Sequence, residues 1–270
     1  MSASAVNAFT PQYKREIHHI FQQMDSKLAG SVMLERTTEA STHNFHRLAA
    51  VAANTRANGS SADVTGLNPT SSVVTATLVN FEAPIYHSKF DELKTNADLR
   101  RGYQKSAVAA INRARDDQII TAMDLATTTL TTTAGGLTSA KLAEALEFFN
   151  ANDVPFEERI AVWSPSAVAD AYVLERLTSR DYADLDRIRA EGKGTVFGFN
   201  VVMSSRLPLS VANRTVFYFH KSAVAQAVGM DPVVEVNYVA EKVSWLINAM
   251  LSSGSVIVDN AGIVKQTIAE

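Results

Sequence analysis

The chain has 270 residues, 25 Lys and Arg against 28 Asp and Glu, a formal net charge of -3 and no cysteine. Its 46% hydrophobic and 20% charged residues are typical of a folded chain with enough material for one large or two small domains. The balanced charge excludes a protein that works mainly by gripping nucleic-acid phosphates. The absence of cysteine excludes disulfides, thiolate-bound zinc, iron–sulfur clusters and thiol catalysis. No signal peptide and no membrane-spanning run of about 18 apolar residues is found, so the sequence predicts a soluble, cytosolic protein.

The first predicted element is an amphipathic helix that begins at Pro11 and ends near Gly30. Thr10 can cap it, proline is tolerated in a first helical turn, and glycine favours a helix end. Its apolar residues recur at helical spacing and form one stripe, which contains Ile17, Ile20, Phe21, Met24 and Leu28. Because the residues before it provide no core, we expect this arm to dock on its own domain or on a neighbour.

A long two-stranded hairpin is predicted within residues 45–88. Residues 73–81 alternate in β-favouring side chains, and residues 45–54 are a weaker extended candidate. The stretch between them is polar and rich in Gly, Asn and Ser, which predicts a mobile tip. Since such a ribbon is marginal alone in water, it must pack on its own domain or reach another subunit.

The strongest helical pattern runs from about Ala97 to Leu125, which would reach roughly 43 Å, about twice the usual helix length. It ends in a threonine-rich run before Gly135-Gly136, which predicts a domain junction. Asp116-Asp117 follows two arginines, which indicates a charged surface with pairs within the helix. The basic residues of this helix favour inter-subunit salt bridges over a weak nucleic-acid face, since no aromatic residues interleave them: Arg100, Arg101, Lys105, Arg113 and Arg115.

The remaining residues alternate between helices and strands, a pattern typical of a compact α/β or α+β domain. Helices are predicted from Thr138, from the capped start Ser164-Pro165, and over 181–190 and 221–228. Strands are predicted over 159–163, 197–203, 215–219, 233–238, 245–258 and 263–268. Ser252-Ser253-Gly254 predicts a bend within the longest of these strands.

Motifs that carry catalysis are missing or weak. The chain has neither a G-x-S-x-G nucleophile elbow nor an H-E-x-x-H zinc helix. Gly192-Lys193-Gly194 precedes a strand, which favours a turn over a nucleotide site. His43, His46 and His87 could converge on a divalent metal if the ribbon ends pack together, but hydrogen-bonded structural imidazoles are the preferred interpretation. We expect no catalytic residue, no cofactor and no metal ion.

Five segments of the second half follow one another in a definite order: Arg159–Ala167, Leu177–Tyr182, Gly198–Pro208, Phe219–Gly229 and Glu235–Met250. A docking arm, a ribbon and an over-long helix precede them. In this order the chain resembles the major capsid proteins of tailed bacteriophages, which share the Hong Kong 97 capsid fold. The resemblance covers most of the chain from about residue 90 and is looser before it.

The resemblance implies an α+β Hong Kong 97-like fold with four parts. They are an N-terminal arm with an amphipathic helix (1–43), an extended β-hairpin loop (44–88), a peripheral domain with a long spine helix (89–134 and 232–258), and an axial α/β domain (135–231 and 259–270). Hexamers and pentamers of this structural, non-enzymatic protein would close an icosahedral or prolate phage head around double-stranded DNA. The subunit-interface residues expected are Ile17, Phe21, Arg56, Phe81, Arg100, Arg101, Arg113 and Arg115.

The implied partners are copies of the chain itself, with scaffolding, portal and cement or decoration proteins. Double-stranded DNA would be cargo without sequence-specific binding, and no membrane would be involved. The protein would assemble in the host bacterial cytoplasm and reside in the virion. Since no long coiled-coil leader precedes the arm, we expect no cleaved internal scaffold domain.

Two alternatives stand beside this interpretation. Within the same fold, an encapsulin-like compartment would enclose protein cargo instead of DNA. From another class, a soluble α/β enzyme would use His43, His46 and nearby acids, but it needs a pocket of convergent polar groups that the motifs do not supply.

The extended loop generates a first testable prediction. Some capsid proteins of this family weld subunits through a bond between a loop lysine and an asparagine elsewhere. Residues 45–88 contain Arg47 and Arg56 but no lysine. We therefore expect intact-mass spectra of denatured particles to show the single chain, and a ladder of covalent oligomers would contradict this.

Overall fold

The computed structural model describes residues 21–37, 40–90 apart from 57, 60, 62 and 65, 99–130, 135–174 and 194–270. Within these ranges the chain is α+β, as predicted, with helices α1 (Leu99–Asp124), α2 (Ser139–Ala151) and α3 (Pro165–Val173). The strands are β1 (Met33–Arg36), β2 (Thr42–Leu48), β3 (Ser71–Thr77), β4 (Val79–Ser88), β5 (Thr129–Leu130), β6 (Arg159–Trp163), β7 (Gly194–Val196), β8 (Phe199–Met203), β9 (Leu209–Ser210), β10 (Asn213–His220), β11 (Val224–Val239), β12 (Ser244–Ile257) and β13 (Ile263–Ala269).

The strands form three sheets. One has the order β1-β11-β12-β4, and a larger one has the order β5-β13-β10-β6-β8-β7 with β9 beside β10. The third is the two-stranded β2–β3 ribbon. The chain divides into a smaller compact unit, residues 80–115 and 230–252 with the described residues before 27, and a larger unit, residues 27–79, 116–229 and 253–270.

The core of the larger unit surrounds the mixed sheet. β6 is buried at every position, since it lies between β8 in parallel and β10 in antiparallel pairing. Helices α2 and α3 bury apolar faces in the same core through Leu142, Phe149 and Val168. Both helices begin where the sequence predicts, because the side chains of Thr138 and Ser164 accept the N–H groups of Lys141 and Ala167.

A buried arginine stabilises one end of this core. Arg159 is 1% exposed, and its guanidinium donates to the carbonyl oxygens of Val154 and Pro155 and to Asn150 Oδ1. It also lies 4.3 Å from the ring centroid of Phe156. Burial lowers the pKa of this guanidinium, and the carbonyl oxygens compensate for the lost water.

The smaller unit packs the first part of α1 on strands β4 and β12. Ala107 and Ile111 of the helix are buried against Ala249 and Leu251 of β12. Phe81 of β4 is half-buried against this cluster. The helix runs from Leu99 to Asp124, which confirms the long helical pattern.

The predicted N-terminal helix is wrong where the structure describes it. Residues 21–30 form irregular structure with bends and a turn, with Phe21 fully exposed and Leu28 buried in the larger core. The N–H groups of Lys27 and Leu28 donate to the carboxylate of Asp116 rather than to carbonyls one turn earlier. Ile17 and Ile20 lie outside the described residues, as does the helix predicted over 181–190.

The helix predicted over 221–228 is also wrong. A 3-10 turn at Lys221–Ala223 leads directly into β11, where residues 225–228 pair in parallel with β1. Ala225, Ala227 and Val228 are buried there, so tertiary pairing overrides the local helical preference of alanine. The strand predicted from Phe197 starts at Phe199, because Phe197 and Gly198 have φ of 49° and 79° and turn the chain from β7 into β8.

The predicted bend at Ser252–Gly254 is absent, since β12 continues through these residues. Gly254 serves a close approach instead. A Cβ atom placed on it would lie 2.3 Å from the carbonyl oxygen of Thr77 at the end of β3. Only glycine therefore fits where the end of the ribbon strand crosses β12.

This contact predicts the effect of a single methyl group. Gly254→Ala should lower the free energy of unfolding by about 1–3 kcal/mol, because backbone must move to relieve the overlap. Gly66→Ala is the matched control: a Cβ there meets nothing within 4 Å, and we expect a change within about 0.5 kcal/mol. Thermal and denaturant unfolding measure both variants, and equal stability of the two would contradict the close approach.

Candidate assembly surfaces

The β2–β3 ribbon is the first candidate surface. Its strands pair antiparallel from Thr42 opposite Thr77 to Leu48 opposite Ser71. The ladder continues by one bond, in which Ala49 N donates to Thr70 O at 2.9 Å. The predicted hairpin is therefore present with shifted strands, because the chain from Val79 onward belongs to β4 in another sheet.

The root of the ribbon rests on small residues. Phe45 and Ala76, on one face of the ribbon, are buried against Ala225 and Ala227 of β11. We call Ala225, Ala227 and Gly254 the small-residue platform, because each lacks a side chain beyond Cβ and lets the ribbon approach closely. At the adjoining turn, Arg47 Nη2 lies 3.2 Å from Asp259 Oδ1.

The rest of the ribbon is exposed. Among the described residues between 49 and 70, none lies in a helix or a strand and all are exposed. Large apolar side chains are nevertheless found on this part of the ribbon and beside it: Leu48, Val51, Val64, Leu67 and Val73. We call residues 49–70 the ribbon tip.

Three side chains fasten the arm strand β1 to the ribbon strand β2. His43 Nδ1 lies 2.6 Å from Thr37 Oγ1, and His43 Nε2 lies 2.7 Å from Glu35 Oε2. The order hydroxyl, imidazole, carboxylate is that of a hydrolase triad. However, Thr37 is 7% exposed and its N–H donates to Val228 O, so its hydroxyl is held in packed structure away from solvent. Both ring nitrogens of His43 therefore have a hydrogen-bond partner, as the preferred interpretation of the sequence expects.

A buried carboxylate anchors the arm in the larger unit. Asp116 is 0% exposed and accepts the N–H groups of Lys27 at 3.0 Å and Leu28 at 3.3 Å. Its neighbour Asp117 accepts two hydrogen bonds from the guanidinium of Arg206, and this pairing raises the pKa of Arg206. The prediction of a charged surface at this pair is wrong for Asp116, which is buried. The side chain of Asp117 is 43% exposed and pairs with Arg206, 89 residues away in sequence.

In the smaller unit, α1 holds the arm through polar side chains. Arg113 Nη1 donates to Gln22 Oε1 at 2.8 Å and to Gln23 O at 3.2 Å. Asn112 Nδ2 donates to Met24 O at 2.9 Å. Arg113, predicted for a subunit interface, thus binds the arm of its own chain.

The other predicted interface residues are dispersed. Arg56 lies on the ribbon tip, and Arg101 is exposed near the start of α1. Arg100 stacks 4.5 Å from the ring centroid of Trp245, and Arg115 is half-buried on α1. Phe21 is exposed, Phe81 packs in the smaller core, and Ile17 lies outside the described residues. Their role between subunits stays a prediction.

Sequence reasoning missed the apolar side chains of the ribbon tip and the buried role of Asp116. The first had a signal, since Val51, Val64 and Leu67 interrupt an otherwise polar stretch. The second had none, because Asp116 looks like any charged residue of a helix until residues 27 and 28 are placed beside it.

Two further findings bear on function. In the part of the chain that the structure describes, no three His, Asp or Glu side chains are grouped so that they could hold a metal ion. No helix among the described residues is long and apolar enough to cross a membrane.

The anchor at Asp116 can be tested directly. Asp116→Ala should cost about 1–3 kcal/mol of stability, because two N–H groups lose their acceptor in a buried site. Hydrogen exchange of residues 27–32 should accelerate with it. Asp124→Ala is the matched control on the same helix. Its carboxylate is half-exposed and makes a long ion pair of 3.7 Å with Lys265 Nζ, so we expect a loss of stability of less than about 1 kcal/mol. Unchanged exchange in Asp116→Ala would contradict the anchor.

Comparison with known proteins identifies the family. The family model described as phage capsid protein matches residues 5–270. Among solved structures, a capsid chain of Cyanophage P-SCSP1u shares 16% identity over 98% of this chain and 94% of its own, with a TM-score of 0.78. A chain of Mycobacterium phage Che8 shares 19% identity over 97% and 98%, with a TM-score of 0.73. The capsid chain of a native GTA particle shares 15% identity over 99% and 98%, with a TM-score of 0.76. No curated protein matches by sequence.

The solved structures share the fold of this chain, and the family model covers nearly all of its sequence. Neither alternative, the compartment shell nor the soluble enzyme, is favoured by these matches. The chain therefore belongs to the phage capsid protein family, and it is a structural capsid protein with the α+β capsid fold that its sequence predicted.

Proposed function

We propose that this chain is the self-assembling shell subunit of a phage head, in which hexamers and pentamers close an icosahedral or prolate shell around double-stranded DNA. The shell forms in the host bacterial cytoplasm from copies of this chain, with scaffolding, portal and cement or decoration proteins as further partners. The DNA is enclosed without sequence-specific binding. The subunit has no catalytic role.

The ribbon is the observation that carries this proposal. Its root is seated on its own unit, whereas the described residues of its tip are exposed and include apolar side chains. Several apolar side chains exposed on one ribbon gain free energy when another surface removes them from water. In a closed shell, neighbouring subunits surround each capsid protein and can cover these side chains.

The apolar area of the ribbon indicates how strong its contact with a neighbouring subunit would be. Covering a leucine or valine side chain stabilises a contact by about 1.5–3 kcal/mol at most, so one ribbon supplies only a modest gain. Repetition around a closed shell makes the sum large, because every subunit gives one ribbon and receives another.

The arm is the second proposed contact. Phe21 is exposed at the point where the described arm begins, and its anchors at Arg113 and Asp116 fix where the arm leaves α1. We include Ile17 and Phe21 on the arm and Arg56 on the tip in the inter-subunit surface. Arg100, Arg101 and Arg115 on α1 remain candidates for salt bridges between subunits, and Phe81 remains a candidate for the inter-subunit surface.

Two leucines test the proposal. The double variant Leu48→Ser and Leu67→Ser removes apolar area that the proposal places under a neighbour. We expect it to raise the subunit concentration needed for assembly by at least about tenfold, which corresponds to a loss of about 1.4 kcal/mol per contact. Sedimentation velocity and negative-stain microscopy measure the shells formed.

Leu125→Ser is the matched control, because Leu125 is at least as exposed as Leu48 and Leu67 but follows α1, away from the ribbon sequence. The double variant must also unfold at the wild-type temperature, since its leucines are exposed in the subunit. Normal assembly of a folded double variant would contradict the proposal. DNA extracted from purified shells tests the cargo, and an enclosed enzyme in its place would overturn the phage-head assignment.

A further inference from the structure

Asn58-Gly59 in the ribbon tip is the only Asn-Gly pair of the 270 residues. Both residues lie in a turn and both are exposed. Gly59 has φ of 76°, a left-handed conformation, and a Cβ placed on it would meet nothing within 4 Å. Open space around Gly59 and the absence of its side chain leave its amide nitrogen accessible to the neighbouring Asn58 side chain.

We infer that Asn58-Gly59 is a site of spontaneous deamidation in the unassembled subunit. The Gly59 amide gives up its proton to water and its nitrogen forms a bond to Asn58 Cγ. The bond from Cγ to the side-chain nitrogen breaks and ammonia leaves, which forms a five-membered imide. Water then adds to either imide carbonyl and opens the ring, so that the residue becomes aspartate or isoaspartate. The sequence consumes one water, releases one ammonia and needs no oxidant or enzyme.

The position of the pair explains why this subunit is susceptible. Regular hydrogen bonding holds backbone N–H groups away from such attack, but the described residues between Ala49 and Thr70 lie in no helix or strand. Every other asparagine of the sequence precedes a residue other than glycine, and several lie in strands, such as Asn44 in β2 and Asn248 in β12. Deamidation adds one carboxylate to the tip.

A second asparagine in the ribbon tip serves as an internal control for deamidation. Asn68 is also exposed and lies in the same tip, but it precedes Pro69, whose nitrogen has no proton to lose. Asn68 therefore cannot form the imide by this route, although it experiences the same solvent.

Assembly should slow the reaction, and this part rests on the proposed function. If a neighbouring subunit covers the tip, Gly59 loses the freedom and the water that the reaction needs. The fraction of subunits with deamidated Asn58 would then increase with the time that they spent unassembled.

The test follows the wild-type chain by peptide mapping and mass spectrometry. Unassembled subunits and shells are separated by size, incubated at neutral and mildly alkaline pH, and compared with a synthetic peptide of residues 54–64. We expect aspartate and isoaspartate at residue 58 in free subunits at a rate close to that of the peptide. The rate should rise with pH, because the deprotonated amide attacks, while Asn68 stays intact. Gly59→Ala should slow the reaction by on the order of tenfold, because a Cβ hinders the approach.

The possible failures are distinguishable. If the peptide reacts while Asn58 in free subunits stays intact, or if Asn68 reacts as fast as Asn58, the inferred site is overturned. If Asn58 reacts equally in shells and in free subunits, the site stands, but the ribbon tip is uncovered in the shell and that part of the proposed function fails. Reaction in free subunits with protection in shells supports both.

Discussion

The close seating of the ribbon root on the small-residue platform is the contact on which the proposed assembly surface depends. Phe45 and Ala76 fill the space that Ala225 and Ala227 leave open, and Gly254 allows the backbone of Thr77 to come near. A two-stranded ribbon has little stability of its own, so its exposed tip requires a firmly packed root. Close packing thus holds the root in place, and the apolar side chains of the tip can contact another subunit.

Several charged side chains bind other parts of the same chain. Asp116 binds backbone of the arm, Asp117 pairs with Arg206, and Arg113 binds the arm from α1. Arg159 replaces lost water with carbonyl oxygens and aromatic faces. Since a buried charge is tolerated only with such partners, these contacts define single positions for the arm and for the ends of the core elements.

A capsid protein acts through its surfaces, and the described residues of the ribbon tip are an exposed surface without helix or strand. The same lack of structure that exposes Leu67 also exposes Asn58-Gly59 to water. The proposed contact with a neighbouring subunit and the inferred deamidation therefore share one physical cause, a backbone without a regular hydrogen-bond ladder. Thr37, His43 and Glu35 illustrate the converse, since hydrogen bonds between these side chains hold the chain after β1 beside β2.

The sequence by itself determined the elements whose signals are local: the long helix α1, the buried strand β6, the capped starts of α2 and α3, and the order of segments that indicates a capsid fold. Periodicity and capping act over a few residues, so they are legible without a structure. Only the tertiary structure decided the conformation of residues 21–30, the strand that replaces a helix after Ala223, and the need for glycine at 254. Each of these depends on a partner far along the chain, as Leu28 depends on Asp116 at a separation of 88 residues, and no local pattern encodes that proximity.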